Sequence, residues 1–297
     1  MKPSIILPNR SGNGDDEKIT CENNIVLIGA NGAGKSRLGS QIETSLIGIT
    51  DAHRISAQRA LSIPDYATRK SLEQAERGFF YGREDVHGNP TTKRGSRWGN
   101  NPETHLLNDF DQLLSTLFAR TAKRNHDFVK KVEEQKCYFK VPDSPLDVIV
   151  RVWNDIMPHR KISFADDKVT TSKGEESYHG KGMSDGERVA LYLIGQCLCV
   201  PDGSIVIIDE PEIHLHKSLM SRLWDKIETA CPTKLIVFIT HDLDFAVSRK
   251  GARKIWVKEY SGQKWIWDDI PEAEGIPESL VIEIAGTRTH LIRQQRL

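Results

Sequence analysis

The segment that most constrains this chain is Gly29-Ala30-Asn31-Gly32-Ala33-Gly34-Lys35-Ser36, a complete G-x-x-x-x-G-K-[ST] pattern. Ile25-Val26-Leu27-Ile28 stands just before it, short, apolar and largely β-branched, and reads as a buried strand. A helical pattern follows over residues 35–47. Strand, glycine-rich turn and helix in that order let several backbone N–H groups converge on phosphate oxygens. The new helix adds the positive end of its dipole. Lys35 is spaced to reach the β- and γ-phosphates of a nucleotide, and the Ser36 hydroxyl to ligate Mg²⁺. Arg37 closes the cradle on the first helical turn. A glycine turn that precedes Lys-Ser by coincidence would not carry both flanking elements.

Two further apolar runs end in polar groups. Residues 204–209 form one, and it ends in Asp209-Glu210. A buried parallel strand delivers its last side chains to the carboxyl edge of its sheet, where ligands of open α/β folds sit. There Asp209 would hold Mg²⁺ and Glu210 would orient or deprotonate an attacking water. Residues 234–240 form the other run, and it ends in His241. Taken alone, each ending also fits a strand that stops at the surface.

Composition narrows the class. The 297 residues suit one large domain or two ordinary ones, and 41 Lys+Arg balance 41 Asp+Glu. That balance argues against a basic coat for bulk nucleic-acid binding. No apolar run reaches the roughly 18 residues of a membrane span, and the polar N-terminus does not read as a signal peptide. Cys21, Cys137, Cys197, Cys199 and Cys231 contain no C-x-x-C pair and read as reduced, packed thiols of a cytoplasmic protein.

Strands alternate with helices along the chain, as in a parallel α/β sheet covered on both faces. Residues 53–57 read as a strand. Residues 65–150 read as a helical insertion, with a mobile loop at 86–101 and a helix over 106–131. Strands are expected at 146–153 and 161–164, with a turn at Asp166-Asp167 before Val169. Helices are expected at 184–199 and 218–230, terminal strands at 254–257 and 264–267, and a C-terminal tail over 270–297. All of this falls in one domain, 1–297.

Met183-Ser184-Asp185-Gly186-Glu187-Arg188 opens the 184–199 helix, and Ser184 with Glu187 fits a capping box. Set before an acid-ended strand, the hexapeptide also resembles the signature of the ATP-binding-cassette (ABC) superfamily. Asp185 stands where the family more often has glycine, and Met183 where it has leucine. The resemblance implies an α/β P-loop NTPase: a mostly parallel sheet with an antiparallel β part and a helical insertion. It implies ATP and Mg²⁺ as ligands. It also implies a head-to-tail homodimer in which Ser184 and Gly186 of one copy bind the γ-phosphate held by the other. His241 matches the family's γ-phosphate-contacting histidine, and Gln58 fits the glutamine that senses Mg²⁺ and water. Arg54 and Arg59 flank Gln58 and either contact phosphate or are solvated.

Glu210-Pro211-Glu212-Ile213-His214-Leu215-His216 resembles a segment of bacterial ATPases of the overcoming-lysogenization-defect (OLD) type. With Asp209, its Glu212, His214 and His216 also invite a transition-metal reading. Residues 183–195, 207–215 and 240–246 resemble the ATPase part of two-part systems that pair such an ATPase with a TOPRIM-like nuclease. The phage anti-restriction-induced defence systems are of that kind. No nuclease-like carboxylate cluster follows residues 277–286, so the expected effector is a separate subunit, unless the reading frame is truncated. The expected function is ATP hydrolysis that controls an effector in anti-phage defence or DNA repair. The alternatives are a soluble transporter subunit, against which the EPEIHLH string argues, and an ATP-gated scaffold without turnover. For DNA, Lys93, Arg94 and Arg97 beside Trp98 form one basic patch. Arg120, Lys123, Arg124, Lys130 and Lys131 form another, and solvated helix faces are the simpler explanation of both.

Overall fold

The computed structural model describes residues 2–10, 14–136, 139–262, 264–273 and 275–294. In chain order the elements begin with β1 (Ile5–Leu7), β2 (Glu17–Ile19), β3 (Ile25–Ile28), α1 (Lys35–Ser45) and β4 (Ala52–Ile55). The helical stretch is α2 (Leu72–Tyr81), α3 (Lys93–Arg97), α4 (Phe110–Gln135) and α5 (Pro145–Ile156). Next come β5 (Lys161–Ala165), β6 (Lys168–Lys173), β7 (Glu176–His179), α6 (Asp185–Cys199) and β8 (Ile205–Asp209). The chain continues through α7 (Lys217–Ala230), β9 (Leu235–Thr240), α8 (Leu243–Ser248), β10 (Arg253–Ser261), β11 (Lys264–Ile270) and α9 (Glu278–Gln294).

Six strands form the main sheet in the order β11-β10-β3-β9-β8-β4. β10, β3, β9, β8 and β4 run parallel, and β11 closes one edge antiparallel. Alternation along each strand divides the side chains between two cores. Val26, Ile28, Val206, Ile208, Ile236 and Phe238 face the helices of the insertion together with α6 and α7. Ile25, Leu27, Ile205, Ile207, Val237 and Ile239 face α1 and the antiparallel β1–β2 pair. β5, β6 and β7 form a separate antiparallel sheet, with Asp166 and Asp167 as its first turn, both at positive φ. The mixed fold with a mostly parallel sheet is the one expected from the sequence.

Three local expectations change. Residues 146–153 are helical, not extended. Ser144 and Asp147 form a reciprocal capping box, Pro145 sits in the first turn, and Leu146, Ile149, Val152, Trp153 and Ile156 are buried at helical spacing. The β-branched run VIVRV imitates a strand, but the cap and the three-to-four residue spacing of the buried positions prevail. The stretch 86–101 is not a free loop. It contains α3, and Lys93, Arg97 and Trp98 are buried. Residues 278–294 of the expected tail are the helix α9, whose Leu280 and Ile284 join the core. β1 and β2 are three residues each and β7 is four, too short for a strand period to show in sequence. Cys21, Cys197, Cys199 and Cys231 are free thiols, and Cys137 lies outside the described residues. Among the described residues, no helix is long and apolar enough to cross a membrane.

Candidate functional site

Because β3, β9 and β8 are neighbours and parallel, their carboxyl ends bring three sequence motifs side by side. Ile28 pairs with Thr240, and Asp209 with Ile239. The turn 29–34, His241 and Asp209-Glu210 therefore share one edge of the sheet.

The cradle is shaped by two glycines that admit no side chain. A Cβ on Gly29 would lie 2.2 Å from the Val257 carbonyl oxygen. Gly34, at φ 82°, caps α1 in the left-handed region, and a Cβ there would lie 2.5 Å from Tyr260 Cβ. Both contacts come from β10, which runs on past its pairing with β3 and stands as a wall beside the turn. Trp265 Nε1 donates to the Gly34 carbonyl at 3.2 Å, and the Arg37 guanidinium lies 4.7 Å from the centre of the Tyr260 ring. Lys35 Nζ donates to the carbonyl oxygens of Gly29 and Ala30 at 2.9 and 2.8 Å. Burial depresses the Lys35 pKa, against the opposing charges of Glu210 and Asp209.

Asp209 is 1% exposed. The neighbouring Ser36 hydroxyl favours its charged form, yet Asp209 Oδ1 has no hydrogen-bond partner. Burial, with the neighbouring Glu210 charge, pushes Asp209 up to about 6. A buried, unpartnered carboxylate oxygen beside a serine hydroxyl at a phosphate cradle is a hard-oxygen donor set that fits Mg²⁺.

Glu210 stands at φ 49° and its N–H donates to the Ile239 carbonyl at 2.8 Å. Its carboxylate accepts from His241 Nδ1 at 2.7 Å, which leaves Nε2 for another partner. Burial works to raise the Glu210 pKa, but the His241 hydrogen bond and the neighbouring Glu212 bring it below the ordinary carboxylate value. Glu212 is pushed the other way, to about 9, by burial and then by the Glu210 charge. Of the two carboxyl groups, Glu212 is the one that favours its proton. Glu210, Glu212 and His241 offer ligand atoms within 4.8 Å of one another. Glu210 Oε2, His241 Nδ1 and Glu212 Oε1 are engaged in hydrogen bonds, while Glu212 Oε2 is buried without one. His214 and His216 are not part of it: His214 is exposed and His216 caps α7 through Ser218. The metal reading of that segment is withdrawn.

Ser184 caps α6, with its hydroxyl donating to Glu187 Oε2 at 2.7 Å. Gly186 lies against the His214 carbonyl, where a Cβ would sit 3.8 Å from the oxygen. Both are on a helix end beside the 211–216 loop. Gln58 is exposed just beyond β4, and its side chain makes no hydrogen bond. Arg54 and Arg59, expected on phosphate or in solvent, are instead buried. Arg59 donates to the carbonyls of Ser56, Asp209 and Glu210 at 3.0, 3.3 and 3.4 Å and so braces the turn that carries both acids. Arg54 pairs with Glu43 at 3.4 Å and stacks on Trp98 at 3.8 Å. The first basic patch dissolves as well: Lys93 pairs with Glu43 and Arg97 with Asp109, each at 2.7 Å. In the second, Arg120, Lys123, Arg124 and Lys130 all have acidic partners. The sequence offers Arg59 as a phosphate-contacting or solvated residue and Glu212 as part of a metal reading, but neither observed role, since Arg59 lies 150 residues from the carbonyl it holds.

A family model described as "AAA domain, putative AbiEii toxin, Type IV TA system" matches residues 37–248, from just past the cradle to the end of α8. Among solved structures, the chain is similar to an SmcHead bound to the C-winged helix domain of ScpA. The identity is 15%, the match covers 91% of this chain and 97% of that one, and the TM-score is 0.52. A nucleotide-free ATP-binding cassette from an ABC transporter matches at 12% identity over 95% and 98% of the two chains, with a TM-score of 0.44. An Smc head domain with an extended coiled coil from Pyrococcus furiosus matches at 12% identity over 63% and 43%, with a TM-score of 0.37. Only the SmcHead likeness is strong enough to argue from, and what it shows is a shared fold. No curated protein matches the chain.

Proposed function

Because this chain belongs to the family described as "AAA domain, putative AbiEii toxin, Type IV TA system" and has a P-loop ATPase fold, we propose that it hydrolyses ATP and uses the cycle to control an effector. The observation that carries this reading is the meeting of cradle, acid pair and histidine on one sheet edge. In this reading the backbone of the 29–34 turn and Lys35 hold the phosphates. Ser36 and Asp209 would hold Mg²⁺, which when bound would supply neutralisation of the phosphate charge. Glu210 orients the attacking water and draws its proton. His241, turned toward Glu210 through Nδ1, presents Nε2 to the γ-phosphate. Gln58, exposed just beyond β4, has room to turn toward that site.

Ser184 and Gly186 complete the cradle of a second copy in a head-to-tail homodimer. Support comes from the exposure of Ser184 at the N-terminus of α6, where N–H groups and dipole favour an anion. ATP binding then closes the dimer and hydrolysis opens it. The effector class follows from the sequence resemblance to OLD-type ATPases: a TOPRIM-like nuclease on a separate chain, in anti-phage defence or DNA repair. Light scattering on the Glu210→Gln protein tests the cycle. With ATP and Mg²⁺ its mass should double, and Lys35→Ala or Ser184→Arg should prevent the doubling. A Glu210→Gln protein that binds ATP and stays monomeric overturns the dimer reading.

A further inference from the structure

We propose that Glu212 is a positioning residue for hydrolysis, locking Glu210 and the Thr240–His241 turn into one hydrogen-bonded block. The inference rests on the ATPase reading above and adds to it a third carboxyl group that neither the cradle nor the acid-strand motif contains.

The geometry is specific. The loop after β8 and the turn after β9 leave neighbouring strands and could move independently. Glu212 joins them. Thr240 Oγ1 donates to Glu212 Oε1 at 2.5 Å and accepts from the Asp242 N–H at 2.8 Å. That fixes the backbone on both sides of His241. His241 Nδ1 lies 2.7 Å from Glu210 Oε2 and 3.9 Å from Glu212 Oε1. Glu212 Oε2 is buried with no hydrogen-bond partner, and Glu210, Glu212 and His241 offer ligand atoms within 4.8 Å of one another. Glu212 therefore ties the loop that carries the water-orienting acid, through Thr240, to the backbone that carries the phosphate-facing histidine. Two groups that must be in register at the γ-phosphate are set by a common brace, which is the orientation term of catalysis.

A protonated Glu212 has a close isostere in glutamine. The amide oxygen can accept from Thr240 as the carboxyl does. Alanine removes that bond. Position and mere presence of a polar group can thus be separated.

The test is steady-state phosphate release with ATP and Mg²⁺ for wild type, Lys35→Ala, Glu212→Ala, Glu212→Gln, Thr240→Val and the double variant Glu212→Ala/Thr240→Val, with ATP affinity measured in parallel. Glu212→Ala should lower kcat by about 10–100-fold with KM within about twofold, and Glu212→Gln should keep kcat within about threefold. Thr240→Val should resemble Glu212→Ala, and the double variant should be no worse than Glu212→Ala, because the pair acts as one unit. A Glu212→Ala protein with wild-type kcat overturns the proposal, as does a Glu212→Gln loss equal to that of alanine. Wild-type phosphate release no faster than that of Lys35→Ala is a different failure: it removes the ATPase reading itself, and this proposal with it.

Discussion

Asp209 and Asp109 are both almost fully buried, at 1% and 4% exposure, yet they are satisfied in opposite ways. Asp109 Oδ1 accepts from the Tyr192 hydroxyl at 2.7 Å, and Oδ2 accepts from Arg97 at 2.7 Å and from Gln196 at 3.0 Å. Asp209 has the Ser36 hydroxyl as a neighbour and leaves Oδ1 without a partner. The first carboxylate ties the insertion and α6 together, and every acceptor is used. The second is held in a form that only a cation or a proton would complete. The contrast separates structural from functional charge in a chain whose formal net charge is zero. A saturated buried ion pair holds elements in place, whereas an under-satisfied one keeps coordination capacity at a cost in stability.

The largest expected effect is on the functional side. Glu210→Gln should reduce phosphate release by about 10²–10⁴-fold while leaving the unfolding midpoint nearly unchanged, since the glutamine still accepts from His241. A parallel collapse of stability would erase the distinction between the two clusters. On the structural side, Asp109→Ala strands Arg97 as an uncompensated buried charge. It should cost about 3–5 kcal/mol in urea unfolding, with ATP affinity per folded molecule retained. A loss below about 1 kcal/mol would mean that the network is not the brace described here.

Next comes pH. The folded pKa of Glu212, about 9, stands above the ordinary glutamate value of 4.5. The folded protein therefore holds this proton while the unfolded chain has lost it, and the associated stability fades as pH rises through that window toward 9. Glu212→Gln cannot ionise, so wild type should lose stability relative to it from pH 6 to pH 9, by on the order of 1 kcal/mol per pH unit at most. Urea melts across that range read the slope, and two parallel curves would reject the raised Glu212 pKa. The smallest effect belongs to the surface of α4. Lys123 pairs with Asp127 one helical turn on, at the half-exposed face of the helix. Lys123→Ala should stay within about 0.5 kcal/mol of wild type in the same melts.

Much of the site was legible because it is local. Lys35, Ser36, Asp209, Glu210 and His241 each follow an apolar strand or open a helix, and parallel topology then brings strand ends together. Where local pattern misled, a competing local signal was present. Residues 146–153 carried β-branched alternation, but Ser144 and Asp147 wrote a helix cap in front of it. The basic residues 93–97 misled for another reason. Their partners Glu43 and Asp109 lie in other elements, and a charge in sequence does not reveal whether its counter-ion will be water, phosphate or a distant carboxylate.

The sequence by itself therefore determined the order of strand, turn and helix, the cradle glycines and the polar group at each strand end, because backbone geometry and hydrophobic period are properties of neighbouring residues. Tertiary structure alone decided which charges are spent. It sank Arg54, Arg59, Lys93 and Arg97 into the interior, left Asp209 Oδ1 unpaired, and joined Glu212 to Thr240 across two strands. Burial and pairing depend on residues that are far apart in the chain and meet only when the sheet has formed.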